Sequence, residues 1–191
     1  GHRNIDGAAL DPATGKLWTV EHGAKGGDEI NQPEAGRNYG WPIISYGTNY
    51  DGTKIGIGTA APGYEQPKFY WDPSIAPSGL AIYDGTMFPE WKGDFIVGAL
   101  KFQLVSRLKR DAAGKITEVE RMFNGAFGRI RDVKIAPDGS FPTRRSSDLR
   151  QAGSSPSPCR RPEYRPRRDI PAPAYSSGRS STPPDNSRAR H

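Results

Sequence analysis

Cysteine is all but missing from these 191 residues: the one present, Cys159, stands near the end, which excludes a disulfide framework. Long apolar runs are missing as well, and none approaches the roughly 18 residues of a membrane span. No stretch sustains an apolar period of about 3.6 residues between helix caps, so a helical domain is excluded as the main architecture. Lysine is missing from residues 141–191, although that segment holds 11 arginines and only 4 acidic residues, a net +7. The preceding 140 residues carry 16 Lys and Arg against 17 Asp and Glu, a net −1. The overall +6 therefore belongs to the tail, and the body offers no electrostatic reason to expect nucleic acid. No leader peptide is visible, but the chain opens inside a motif, Gly1-His2-Arg3-Asn4, so this says nothing about a precursor.

What is there reads as recurring hairpins. Ile5 to Leu10 and Leu17 to Val20 flank turn chemistry at Asp11-Pro12-Ala13-Thr14-Gly15. The unit returns at Gly79 to Leu100, where Leu80 to Tyr83 and Asp94 to Gly98 enclose another turn-rich segment. It starts a third time at Val133 to Gly139. Leu104 to Leu108 and Ile116 to Val119 add two more strands around Asp111-Ala112-Ala113-Gly114. Regular hairpins with Gly, Pro and Asp at the turns predict an all-β fold, a β-propeller rather than a sandwich.

The stretch that organises the body is Glu21-His22-Gly23-Ala24-Lys25-Gly26-Gly27-Asp28-Glu29-Ile30-Asn31. Three glycines forgo side-chain packing and expose backbone carbonyls beside carboxylates, which suits a hard cation such as calcium; the same composition also fits a polar hairpin loop with no ligand. Residues 43–72 are the least regular part, and Tyr46, Tyr50, Phe69, Tyr70 and Trp71 there either pack or form a ligand rim. Arg129 and Arg131 alternate on one strand and share a side, either as a solvated edge or as a paired cationic site.

Five motifs occur in order: Gly1-His2-Arg3-Asn4, the Glu21-His22-Gly23 to Asp28-Glu29 stretch, Asn38-Tyr39-Gly40-Trp41-Pro42, Pro73-Ser74-Ile75-Ala76-Pro77-Ser78-Gly79-Leu80, and Gly128-Arg129-Ile130-Arg131-Asp132-Val133. Together they resemble the soluble aldose sugar dehydrogenases that depend on pyrroloquinoline quinone (PQQ), over roughly residues 1–140. The resemblance implies a six-bladed propeller of which this chain supplies the later blades, a periplasmic or secreted location, and oxidation of the anomeric hydroxyl of an aldose to a lactone. It implies that Arg3, Asn4, Lys101, Arg129 and Arg131 contact PQQ, with Gln103 and Tyr50 as further neighbours, and that Arg131 is the catalytic residue beside the quinone. It implies calcium on the backbone carbonyls of Gly23 and Ala24, where relatives usually carry proline at the second position. A second, structural calcium falls on Glu29 and Tyr39, with Asp28 as a neighbouring carboxylate. In the family the catalytic histidine precedes the part matched here, so His22 reads as a cofactor-side or structural residue and the chain by itself as inactive.

Two other functions compete: a calcium-dependent, lactonase-like propeller and a non-catalytic binding module. The sugar, the electron acceptor (an artificial dye, a quinone or a cytochrome) and the oligomeric state stay open. After Pro137-Asp138-Gly139 the hairpin pattern demands an apolar strand, and the chain instead reads Phe141-Pro142-Thr143-Arg144-Arg145-Ser146-Ser147-Asp148-Leu149. That nonamer is the translation of a common sequencing-adapter oligonucleotide. Residues 141–191, with 9 of the chain's 18 prolines, are therefore expected to be a disordered adapter- or frameshift-derived tail; the other possibility is a genuine basic arm.

Overall fold

Aspartate-led turns set the hairpins. In the first, Asp11 accepts hydrogen bonds from the Ala13 N–H and the Thr14 hydroxyl, both at 3.0 Å, while its own N–H donates to the Lys16 carbonyl at 2.8 Å. Gly15 takes φ +70°, a conformation that favours glycine. The turn at Asp111 repeats the device: its carboxylate accepts from Ala113 and Lys115, and Gly114 takes φ +82°.

The computed structural model describes residues 1–145. Strands β1 (Ile5–Leu10), β2 (Leu17–Glu21), β3 (Asp28–Asn31) and β4 (Phe69–Trp71) form one antiparallel sheet in chain order. Strands β5 (Pro77–Ile82), β6 (Phe95–Ala99), β7 (Val105–Arg110) and β8 (Ile116–Met122) form a second, and β9 (Ile130–Val133) pairs with β10 (Thr143–Arg145). The one helical element among the described residues is a short 3-10 turn at Pro89–Trp91. Two four-stranded meanders followed by the start of a third are successive blades of a β-propeller.

The inner strands β1, β5 and β9 approach closely because glycine lines them. A Cβ on Gly7 would come within 2.5 Å of the Ser78 carbonyl oxygen and 2.8 Å of the Leu80 nitrogen. One on Gly79 would come within 2.7 Å of Asp132 Cα and the Val133 nitrogen. Between the two full blades lies the core: Trp18, Val20, Ile30 and Trp71 from the first pack with Leu80, Ile82, Phe95, Val97 and Leu108 from the second. Each such side chain contributes about 1.5–3 kcal/mol on burial. Arg110 crosses the interface, donating to the buried Asp11 carboxylate at 2.8 Å and lying over the Trp18 and Phe95 rings. Burial alone would raise the Asp11 pKa, but the hydrogen bonds from Arg110, Ala13 and Thr14 together hold it below the usual carboxylate range.

Three strands depart from the sequence reading. Asp28–Asn31, expected to continue a loop, is β3, in which the polar Asp28 and Asn31 are buried and hydrogen-bonded, Asp28 to three backbone N–H groups. Phe69–Trp71, expected in an irregular ligand rim, is the outer strand β4; Trp71 is a core residue whose indole N–H donates to Glu118 on the next blade at 3.2 Å. Thr143–Arg145 pairs with β9, so the third hairpin does receive a returning strand, three polar residues whose backbone suffices for pairing. The expectation of a disordered tail otherwise falls on residues 146–191, outside the described residues. Among the described residues no helix is long and apolar enough to cross a membrane.

Candidate functional site

In an up-and-down meander the start of the first strand and the end of the second lie at the same end of a blade. Residues just before β1, at and after the end of β2, just after β6 and at the start of β9 therefore fall at the corresponding end of their blades. These are Arg3-Asn4, Glu21 to Ala24, Lys101 and Arg129 to Arg131. Hydrogen bonds tie the inner strands together there. The His22 ring lies against Asp6 of β1, with Nε2 2.9 Å from the carboxylate, and also reaches the Pro77 carbonyl of β5. Ser78 donates to the Ile130 carbonyl of β9 at 2.8 Å.

The Gly23 to Gly27 loop is built by close approach. A side chain on Gly23 would collide with the carbonyls of Gly26 and Gly27, and one on Gly27 with the backbone of Gly47. Gly26 and Gly27 take φ +85° and +70°. Arg3 closes over the loop: its N–H donates to Glu21 at 2.9 Å, its guanidinium donates to the His22 carbonyl at 3.3 Å and sits over the Trp41 ring. Asn4 donates to Asp6 at 3.1 Å.

Beneath the loop lies a void of about 10 Å³, the space of one water-sized atom, lined by Arg3, Glu21, Gly23, Glu29, Tyr39 and Ser45 among others. Glu21 and Glu29 face each other across β2 and β3, and Asn31 donates to both, at 2.7 and 3.0 Å. Burial pushes the Glu29 carboxyl up to about 7; the charges of Glu21 and Asp28 push the same way, against the Asn31 hydrogen bond. The Asn31 Oδ1 is buried and has no hydrogen-bond partner among the described residues. Tyr39 stacks on His2 at 4.6 Å, donates its hydroxyl to the Gln32 carbonyl and accepts from the Glu34 N–H. Two facing carboxylates fit a bound cation. No three His, Asp, Glu or Cys side chains converge as a metal cage among the described residues, so such a cation rests on backbone oxygens and at most two carboxylates.

Asp28 stands apart from the cation candidates. Its carboxylate is fully buried and accepts three backbone N–H groups, from Gly23, Ile75 and Ala76. Arg131 lines a wider cavity of about 390 Å³ between the inner strands, with Asp6, Asp132, Lys134 and Arg144. Arg129 is exposed and directly precedes β9 rather than lying within it; buried Ile130 separates the two arginines, which keeps them on one side. Lys101 is exposed beside the Phe102 ring, and Gln103 takes φ +53° while its carbonyl accepts from Gly125. Tyr50 is 75% exposed on the turn closed by Asn49 and Thr53, and, like Asn4, Ala24, Lys101, Gln103 and Arg129, it lines neither cavity. Glu21, Asn31 and Asp6 were not assigned a part from sequence. The signal was the pairing across the Gly23–Gly27 turn, which sets Glu21 opposite Glu29 and Thr19 opposite Asn31.

The family described as Glucose / Sorbosone dehydrogenase matches residues 1–148. Aldose sugar dehydrogenase YliI of Escherichia coli K12 is 50% identical over 103 residues, 53% of this chain and 28% of that protein. The crystal structure of the soluble aldose sugar dehydrogenase from Escherichia coli in the apo form superposes with a TM-score of 0.72 at 44% identity, over 75% of this chain and 42% of that one. The PQQ-bound aldose sugar dehydrogenase from Streptomyces coelicolor gives 0.57 at 27% identity, over 76% and 38%. The chain thus spans well under half the length of the relatives it matches. Its β-propeller is of the quinoprotein glucose dehydrogenase type, and the chain belongs to the glucose/sorbosone dehydrogenase family.

Proposed function

We propose that this chain carries the cofactor-clamping part of a PQQ-dependent aldose dehydrogenase, which oxidises the anomeric hydroxyl of a sugar to a lactone. The observation that supports it is the Arg3 guanidinium on the His22 carbonyl, beside the Gly23–Ala24 turn, in a loop tied through Pro77 and Ser78 of β5 to β9, the strand of Arg131. PQQ is a tricarboxylate, and guanidinium forks pair with carboxylates in two-point contacts. When bound, it supplies the two-electron acceptor for the hydride of the sugar C1. Arg3, Arg129 and Lys101 would bind and orient the carboxylates, with Asn4 and Gln103 as outer neighbours; Tyr50, expected among them, lies on an exposed turn. Arg131 holds the negative charge that develops at the reacting oxygen. The Gly23 and Ala24 carbonyls would hold a calcium ion, which would polarise the quinone, and Glu29 and Tyr39 would hold a second, structural one. The hydroxyl proton passes to a histidine base in a part of the propeller outside this chain. His22, engaged with Asp6 and the Pro77 carbonyl, orients the loop. The location is the periplasm or outside the cell.

The test is dye reduction by a propeller completed with the upstream portion of the Escherichia coli relative. Aldose-dependent reduction should require PQQ and calcium, and Arg131→Ala should lower it by about 10²–10³-fold. The 191-residue chain alone should give none. Robust sugar oxidation by the chain alone would move the base to His22, and a completed propeller that binds PQQ but ignores every aldose would remove the dehydrogenase reading.

A further inference from the structure

The turn Ser74–Ala76, which joins the first blade to the second, is hydrogen-bonded on both edges. On one edge the N–H groups of Ile75 and Ala76 donate to Asp28 Oδ2 at 2.8 and 3.0 Å, the latter shared with the Ser74 hydroxyl. On the other edge the carbonyls of Ala76 and Ile75 accept the N–H groups of Leu100 and Lys101, at 2.8 and 3.1 Å. Asp28 Oδ1 meanwhile accepts the Gly23 N–H at 2.9 Å. Ala76 takes φ +53°, a left-handed conformation that a non-glycine residue adopts at a cost, so its partners and not its own preference hold the turn. The same short turn that points its N–H groups at one buried carboxylate thus points its carbonyls at the segment bearing Lys101.

We infer that Asp28 is a positioning residue that couples the Gly23–Ala24 loop to Lys101, setting the two sides of the cofactor cradle relative to each other across the blade boundary. The inference rests on the roles proposed above for Gly23, Ala24 and Lys101. A carboxylate suits the task because it accepts only: three N–H groups from two segments converge on it without meeting a donor. Linked peptide groups then pass order onward, since each hydrogen bond polarises the next. Asparagine at the same position keeps the size but turns an N–H₂ group toward one set of donors.

Amide hydrogen exchange on the 191-residue chain tests the coupling without cofactor. In Asp28→Asn, exchange at Gly23 and at Ile75–Ala76 should quicken, and so should exchange at Leu100–Lys101, which Asp28 does not touch, each by about tenfold. The amides of Phe95–Val97 in β6 should keep wild-type protection, which shows that the blade is intact. Where Asn loosens β6 as well, Asp28→Glu keeps the charge and serves for the same comparison. Calcium added alone should slow exchange at Gly23–Ala24 and at Leu100–Lys101 together in wild type, and at the first segment only in Asp28→Asn. An effect confined to the groups bonded directly to Asp28, with Leu100–Lys101 unchanged, overturns the inference. Calcium without effect on either segment counts against the cation site instead, and the comparison of the two chains without metal still decides the coupling.

Discussion

Glu29 concentrates the electrostatic problem of the site. Its folded pKa of about 7 stands above its ordinary 4.5, because burial and the neighbouring Glu21 and Asp28 all disfavour the charge. Below about pH 4.5 folded and unfolded chains both hold the proton. Between 4.5 and 7 the folded chain binds more protons than the unfolded one, so Glu29 stabilises the fold at low pH and that contribution is lost as pH rises through 7. In the presence of a chelator the melting temperature should therefore fall across this window, and Glu29→Gln should flatten the slope. Calcium should restore stability at the upper end, since an ion that binds only the folded chain stabilises it by mass action. A melting temperature with the same pH slope in wild type and Glu29→Gln would show that Glu29 has no such role. Residue identity in the motifs was legible from sequence; residue duty was not. Asp28 and Glu29 are adjacent carboxylates in one motif, yet one is occupied by three N–H groups and the other faces Glu21, a division set by β-sheet register.

At the scale of elements, alternating apolar strands announced themselves. The hairpins at β1–β2, β5–β6 and β7–β8 follow from short apolar runs flanking turns that carry Asp and Gly, and all three form around those turns. Strand β3 was hidden because two of its three buried residues, Asp28 and Asn31, are polar, and Asp28 is held in part by N–H groups 47 and 48 positions away. Strand β4 was hidden by the long excursion of residues 32–68 that separates it from β3. The close approach of inner strands yields its own prediction. Gly79→Ala places a methyl group 2.7 Å from Asp132 Cα and the Val133 nitrogen, backbone that cannot swing aside, and should cost about 1–3 kcal/mol. Gly15→Ala has open space around it and should lose only the smaller cost of a left-handed turn residue. Chemical denaturation of the two variants measures the difference, and equal losses would mean that the inner strands relax apart.

For the whole molecule, the family model matches residues 1–148 and β10 pairs with β9, while the basic tail is expected from residue 141 onward. We propose that the residues beyond this match form no folded part of the enzyme. Limited proteolysis should trim the chain back toward residue 145 and leave the two blades together; a discrete protected fragment containing Cys159 and Arg168 would contradict that. The family and the propeller were readable in five short stretches, whereas the interblade turn depends on contacts between residues some 50 positions apart. The central claim, a PQQ cradle completed by calcium, is tested most directly by titrating PQQ into the completed propeller with and without calcium and following quinone absorbance. Saturable binding that tightens at least about tenfold with calcium, and weakens by a similar factor in Arg131→Ala, is the expected result, each factor being about 1.4 kcal/mol of binding free energy. Equal PQQ affinity with and without calcium, or no binding at all, would contradict it.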